Sequence, residues 1–232
     1  MTLLLASQSS GRAAMLRAAG LEFETTAAHV DEEALTASLL AAGQTARNIA
    51  DALAEAKAIK ISSRLPGVTV IGADSTLALD DGAMLTKPAS PEEAADHLRC
   101  MAGTRHRLFS AVVAARDGAP VWRAVGEAKL WMRPLSDAFI TAYVAEQWDS
   151  IRWTVGCYEI EGAGVQLFDR VEGDPWTIVG MPMLPLLLLW LLVSRVLWIA
   201  AASSMLPSAR SRAVLPASIV LPWTRKSEAG PA

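Results

Sequence analysis

The chain has 232 residues, a formal charge of −3 and a pI of about 5.7, with 52% apolar and 19% charged residues. This length allows one large domain or two small ones, and the apolar share argues against a disordered chain. The charge balance gives no net electrostatic basis for binding nucleic acid, so an anionic ligand must be caught by a local cluster of donors and cations.

Thr2 to Ala6 reads as a buried strand, and the opening MTLLLASQSSGR lacks the basic n-region and long apolar h-region of a signal peptide. Ser7 to Gly11 reads as a loop and Arg12 to Ala19 as a helix, with Gly20 as its C′ residue. Leu21 to Ala28 is predicted to be a strand and Asp31 to Ala42 a helix ending at Gly43. Thr45 to Ser62 is a longer helix, with Ile49, Leu53, Ala56 and Ile59 at helical spacing. Val68 to Gly72 is a short apolar strand that leads into Ala73-Asp74-Ser75, and Asp81-Gly82 reads as a tight turn.

Ser90-Pro91-Glu92-Glu93 is a capping box that opens a helix to about Met101. Strands follow at Leu108 to Ala115 and Val121 to Met132, joined by Asp117-Gly118. Ser136 caps a helix to about Gln147, and a glycine-rich section from Gly156 to Gly164 precedes a strand at Val165 to Phe168. Helices alternate with strands and hairpins are also present, so a mixed α/β sheet is expected. Met183 to Ala202 is almost wholly apolar and about long enough to cross a bilayer. Pro185 and Arg195 lie inside it, which favours a packing helix over a span, and the Ser/Pro/Arg/Ala-rich end reads as a poorly ordered tail. Cys100 and Cys157 show no CxxC or Cys/His spacing, which suits a reducing, cytoplasmic setting and reads both as small buried hydrophobes.

Several residues could carry chemistry. Ser7-Gln8-Ser9-Ser10-Gly11-Arg12 sets free backbone N–H groups, hydroxyls and a guanidinium at a helix start, which suits a phosphate; the plain alternative is a capped turn. Asp74, read as sitting at a strand end, could hold a divalent metal or take a proton from an attacking water, or could simply cap a turn. Lys57 lies at the border of an apolar helix face, where its stem can cross to a site or snorkel to water. Lys87 is aimed by Pro88, and Asp31-Glu32-Glu33 reads either as site carboxylates or as favourable charge at a helix N-terminus. His29, His97 and His106 have no metal-ligand spacing and read as structural.

Taken in order, LLLASQSSGRAAMLRAAG, VDE at Val30 to Glu32, LAEAKA at Leu53 to Ala58, VIGADS at Val70 to Ser75, TKP at Thr86 to Pro88, AGTRH at Ala102 to His106, EIEGAG at Glu159 to Gly164 and IVGMP at Ile178 to Pro182 resemble the Maf family of nucleotide pyrophosphatases. The resemblance covers roughly residues 3 to 190. It implies a mixed α/β fold like that of inosine triphosphatases, with two lobes around a cleft, over a domain at 1–195 followed by an atypical tail at 196–232. It also implies hydrolysis of a nucleoside triphosphate between the α and β phosphates, a divalent cation (magnesium, manganese or cobalt) and, in many members, a homodimer. By position, Asp74 matches the catalytic acid, Ser7, Ser9 and Arg12 the phosphate loop, and Glu32, Lys57 and Lys87 the other charged site residues, with Asp74 and Glu32 as metal ligands.

The departures concern the substrate base. Gly11, Ser75 and Glu161 occupy the places that differ between the pyrimidine and 7-methyl-GTP branches of the family. Ser75 is close to the threonine of the first branch, Glu161 follows the second, and Gly11 decides nothing. Two other readings stand beside the enzyme: a nucleotide-binding regulator of septum formation with little turnover, and a protein tethered to a membrane through Met183 to Ala202.

Overall fold

The computed structural model describes residues 3–191. The tail at 196–232 and the greater part of the Met183 to Ala202 stretch lie outside the described residues. Among the described residues, no helix is long and apolar enough to cross a membrane.

The order of elements is β1 (Leu3–Ala6), α1 (Ser10–Ala18), β2 (Glu24–Thr25), α2 (Glu32–Ala41), α3 (Ala46–Ser62), β3 (Thr69–Leu79), β4 (Met84–Leu85), α4 (Pro91–Met101), β5 (Arg105–Arg116), β6 (Ala119–Met132), α5 (Asp137–Ile151), a 3-10 helix (Ala163–Leu167), β7 (Phe168–Glu172) and α6 (Pro175–Val179). Residues 183–191 are helical as well. The strands form one mixed sheet in the order β2-β1-β3-β5-β6-β7, with β4 added to the edge of β3. β1 runs parallel to β2 and β3, and the later pairs are antiparallel.

Three expectations change. The strand expected at Leu21 to Ala28 is only Glu24–Thr25, because β1 offers it two pairing positions. The strand expected at Val165 to Phe168 is a 3-10 helix that ends where β7 begins. Asp74 does not end a strand: β3 runs from Thr69 to Leu79, paired with β5 at every residue. What stops near Asp74 is the neighbour on the other edge. β1 pairs only as far as Ala6 with Gly72, and β4 begins pairing at Leu77 with Leu85. Between them, one edge of β3 is open from Ala73 to Thr76. The cysteines also divide: Cys157 is buried, whereas Cys100 is exposed on α4.

Alternation along β3 sorts its residues onto two faces. Ile71 and Ala73 pack with Leu3, Leu5, Leu16 of α1, Val112 and Met183, while Leu77 joins a second apolar body with Leu98, Leu108, Leu130 and Tyr143. These two bodies share one face of the sheet along β3 and β5, and Asp74 points to the other face. The opposite face is covered by α3 through an alanine stripe, Ala46, Ala50, Ala54 and Ala58. Gly72 permits the approach: a Cβ there would stand 2.1 Å from the Ala54 carbonyl oxygen and 2.7 Å from the Ala58 nitrogen. Gly72→Ala is therefore expected to lower unfolding free energy by about 3 kcal/mol or more, measured by urea denaturation, because backbone has to move.

His106 is fully buried against the second apolar body, with Nε2 2.9 Å from the Tyr158 hydroxyl and Nδ1 without a partner. Burial pushes its pKa down to about 4 from an ordinary 6.5. The imidazole is neutral in the fold, so the unfolded chain takes up the proton first as pH falls. Stability contributed by the neutral ring is complete above about pH 6.5 and lost progressively towards pH 4, at most about 3 kcal/mol. In denaturation curves across this window, His106→Gln is expected to lose less stability than the parent chain; parallel losses would contradict this assignment.

Candidate active site

The open edge of β3 is where the charged residues gather. Asp74 projects to the α3 side, and Lys57, two turns along α3 from the Asn48 turn, reaches across to it. Lys57 Nζ lies 2.5 Å from Asp74 Oδ1 and 2.8 Å from Glu32 Oε1. Lys57 is 8% exposed and Asp74 6%, while the Glu32 side chain is about half open to solvent. The acidic triplet thus divides its work. Asp31 caps α2, its Oδ1 accepting from the Ala34 N–H at 3.0 Å, and this turns Glu32 in the first turn of α2 toward Lys57. Thr76, on the same face, donates to the Ala46 carbonyl at 2.8 Å and ties the start of α3 to β3.

The second group is built around Arg12. Ser9 caps α1, accepting from the Arg12 N–H, and Ser7 Oγ accepts from the Ser9 N–H at 3.2 Å. α1 begins at Ser10, two residues earlier than the sequence suggested, so Gly11 is helical and lies against α6. A Cβ at Gly11 would sit 3.3 Å from Val179 Cγ1. The guanidinium enters the open edge of β3. Nε donates to the Gly180 carbonyl at 2.8 Å, Nη1 to the Ala73 carbonyl at 3.0 Å and to Ser7 Oγ at 3.4 Å, and Nη2 to Ser75 Oγ at 3.0 Å. Desolvation lowers the Arg12 pKa, and the charges of Asp74 and Glu32 partly offset it. The two groups therefore share one electrostatic neighbourhood, with two formal positive and two formal negative charges.

Not every sequence candidate joins them. Lys87 is exposed two residues beyond the last β3–β4 pair, and Glu161 is exposed in the turn before the 3-10 helix; neither bonds to Asp74, Lys57, Glu32 or Arg12. The structure adds residues that motif reading left without a role. Gly180, φ +131°, supplies the carbonyl for Arg12, and Ser110, fully buried on β5, lies 2.8 Å from Ser75. The only sequence signal for Ser110 is a hydroxyl inside the apolar run LFSAVVAA.

The carboxylates suit a hard divalent cation. Asp74 Oδ1 and Glu32 Oε1 converge on one point, now held by the Lys57 ammonium, and two carboxylates are a donor set that magnesium or manganese can complete with water and phosphate oxygens. Among the described residues no group of three or more His, Cys, Asp or Glu is placed to share a metal.

Removing Lys57 leaves Asp74, with a side chain 9% exposed, as a desolvated carboxylate without its cation. Lys57→Met is expected to destabilise the chain by about 3 kcal/mol, and adding Asp74→Asn to recover more than half of that. Urea titrations of both single variants and the double variant measure this; strictly additive losses would show that the pair is not coupled.

Comparison with known proteins places these features in a wider group. Residues 2–191 match the family model described as Maf-like protein. A nucleoside triphosphate pyrophosphatase of Sphingopyxis alaskensis is 88% identical over 81% of this chain and 94% of its own length. One from Caulobacter vibrioides is 52% identical over 79% of this chain and 91% of its own, and a 7-methyl-GTP pyrophosphatase of Brucella abortus is 47% identical over 80% and 92%. Among solved structures, a HAM1 protein from Coxiella burnetii is similar at 14% identity and a TM-score of 0.39, covering 57% of this chain and 73% of that one. With most of its length matched by the family model, the chain belongs to the Maf-like protein family.

Proposed function

We propose that this chain hydrolyses a nucleoside triphosphate to the monophosphate and pyrophosphate, with Asp74 at the reacting centre. The observation that carries the reading is the Lys57 bridge between Asp74 and Glu32, set beside a helix start that Arg12 clamps in place. Pyrophosphatase names among relatives at 47 to 88% identity support the same reaction class.

In this reading water attacks the α-phosphorus, its oxygen bonds there, and the bond to the bridging oxygen of the β-phosphate breaks. The water's proton passes to Asp74, whose Oδ2 is not engaged by Lys57. Free N–H groups at the start of α1, beside Ser7 and Ser9, receive phosphate oxygens. Lys57 and Arg12 stabilise negative charge as it moves onto the leaving pyrophosphate. Lys87, which has no ion-pair partner among the described residues, can close on the phosphates from solvent. Asp74 and Glu32 would hold a divalent cation, which would add Lewis-acid stabilisation of the phosphates. Ser75 and Glu161 bear on the base; a carboxylate at Glu161 suits the N–H donors of a guanine edge. A protein that only bound nucleotide would have no need of a carboxylate that takes a proton from water.

Purified full-length chain is expected to release pyrophosphate from at least one of dTTP, UTP, CTP, GTP and 7-methyl-GTP with magnesium, manganese or cobalt. Asp74→Asn is expected to reduce kcat by at least about a hundredfold, the scale of a lost general base. Turnover by Asp74→Asn at the parent rate would end the assignment of Asp74. A 7-methyl-GTP preference that survives Glu161→Gln would remove Glu161 from base selection.

A further inference from the structure

Ser110 belongs to none of the motifs above, yet it completes the network that holds Arg12. It lies on β5 opposite Ser75 of β3 and Gly126 of β6, with no exposed surface. Its Oγ is 2.7 Å from the Thr177 carbonyl oxygen, and a carbonyl only accepts, so the single Ser110 proton goes there. Ser110 then offers Ser75 lone pairs alone. At 2.8 Å, Ser75 donates its own proton to Ser110, in preference to the Gly180 carbonyl 3.4 Å away. Ser75 Oγ is left as the acceptor for Arg12 Nη2–H at 3.0 Å.

The donors therefore run in one direction, from Arg12 to Ser75 to Ser110 to Thr177, and such chains polarise one another in a desolvated setting. Nε and both Nη1 hydrogens are committed to Gly180, Ala73 and Ser7, so one Nη2–H remains for a ligand. Without Ser110, the Ser75 proton is left with the Gly180 carbonyl, which also accepts from Arg12 Nε, and the hydroxyl rotates away from the direction that suits Nη2.

We propose that Ser110 is a positioning residue for phosphate binding: by setting the direction of the Ser75 hydroxyl it sets the plane of the Arg12 guanidinium, and with it the direction of the N–H left for a phosphate oxygen. The proposal rests on reading the chain as a nucleoside triphosphate pyrophosphatase. Ser110 itself touches no substrate.

The test is steady-state kinetics with the best nucleotide of the panel, on the full chain and on Ser110→Ala, Ser75→Ala and the double variant. Ser110→Ala is expected to raise KM roughly tenfold, the scale of one hydrogen bond to a charged group, with kcat within about threefold. Ser110→Thr, which keeps the hydroxyl, is expected to restore KM. The double variant is expected to have the KM of Ser75→Ala alone, because the effect passes through Ser75. If Ser110→Ala does not fold, Ser110→Cys, slightly larger and a weaker donor, carries the same expectation. An unchanged KM, or single effects that multiply in the double variant, would overturn the proposal. If the parent chain releases no pyrophosphate, the enzymatic reading fails instead. Calorimetric titration with inorganic pyrophosphate and magnesium then decides: weaker binding by Ser110→Ala sustains the positioning role, and equal binding or none by either protein ends it.

Discussion

The close seating of α3 on β3 is the constraint from which the candidate site follows. At Gly72 the helix backbone comes nearer to the strand than any side chain allows, and the alanine stripe keeps that distance along the helix. This nearness removes water from both Lys57 and Asp74. Desolvating two charges costs several kcal/mol each, and their attraction roughly offsets that cost only when the geometry is close. At 2.5 Å it is close, and Glu32 supplies a second partner from the solvent side. An apolar pair of similar volume would serve stability as well. The ion pair is therefore better explained by chemistry than by folding energy.

Arg12 solves a different problem, that of joining parts far apart in the chain. Its partners come from the first loop, the middle of β3 and Gly180, 168 residues away. Only the Ser7 bond is local; those to Ala73 and Gly180 need β3 paired with β1 and α6 docked. Gly126 makes that docking possible, since a Cβ there would stand 2.3 Å from Thr177 Oγ1. Arg12 thereby ties α1 to β3 and to the residue after α6, and fills part of the edge that β1 and β4 leave unpaired.

Much of this was legible in the sequence, for identifiable reasons. Helix starts with strong cap signals were found almost to the residue, with Thr45 capping α3, Ser90 α4 and Ser136 α5, although α5 runs past the expected Gln147 to Ile151. Lys57 was readable because helical spacing put it at the edge of an apolar face. Asp74 was picked out for a partly mistaken reason. The apolar run stops at Gly72, but antiparallel pairing with β5 needs only backbone, so the strand continues through Asp74 and Ser75. Ser110 and Gly180 were not legible, because their task is a hydrogen bond to residues distant in sequence, and neither composition nor period records that. Lys87 and Glu161 remain motif positions whose side chains point to solvent.

The charge count at the site gives one of these exposed residues, Lys87, a task in the proposed chemistry. Arg12 and Lys57 are balanced by Asp74 and Glu32, so the four together offer little net attraction to a triphosphate. Coulomb energy at short range in a partly desolvated site is several kcal/mol per pair, too much for a bound phosphate to leave the carboxylates uncompensated. In the proposed reaction, binding would therefore bring positive charge with it. A divalent cation arriving with the nucleotide would satisfy Asp74 and Glu32 and free the Lys57 ammonium to face phosphate oxygens. Lys87, exposed and unpaired among the described residues, would add the rest. A resting site that is neutral and self-paired would then reject free anions and become cationic only when metal and nucleotide arrive together.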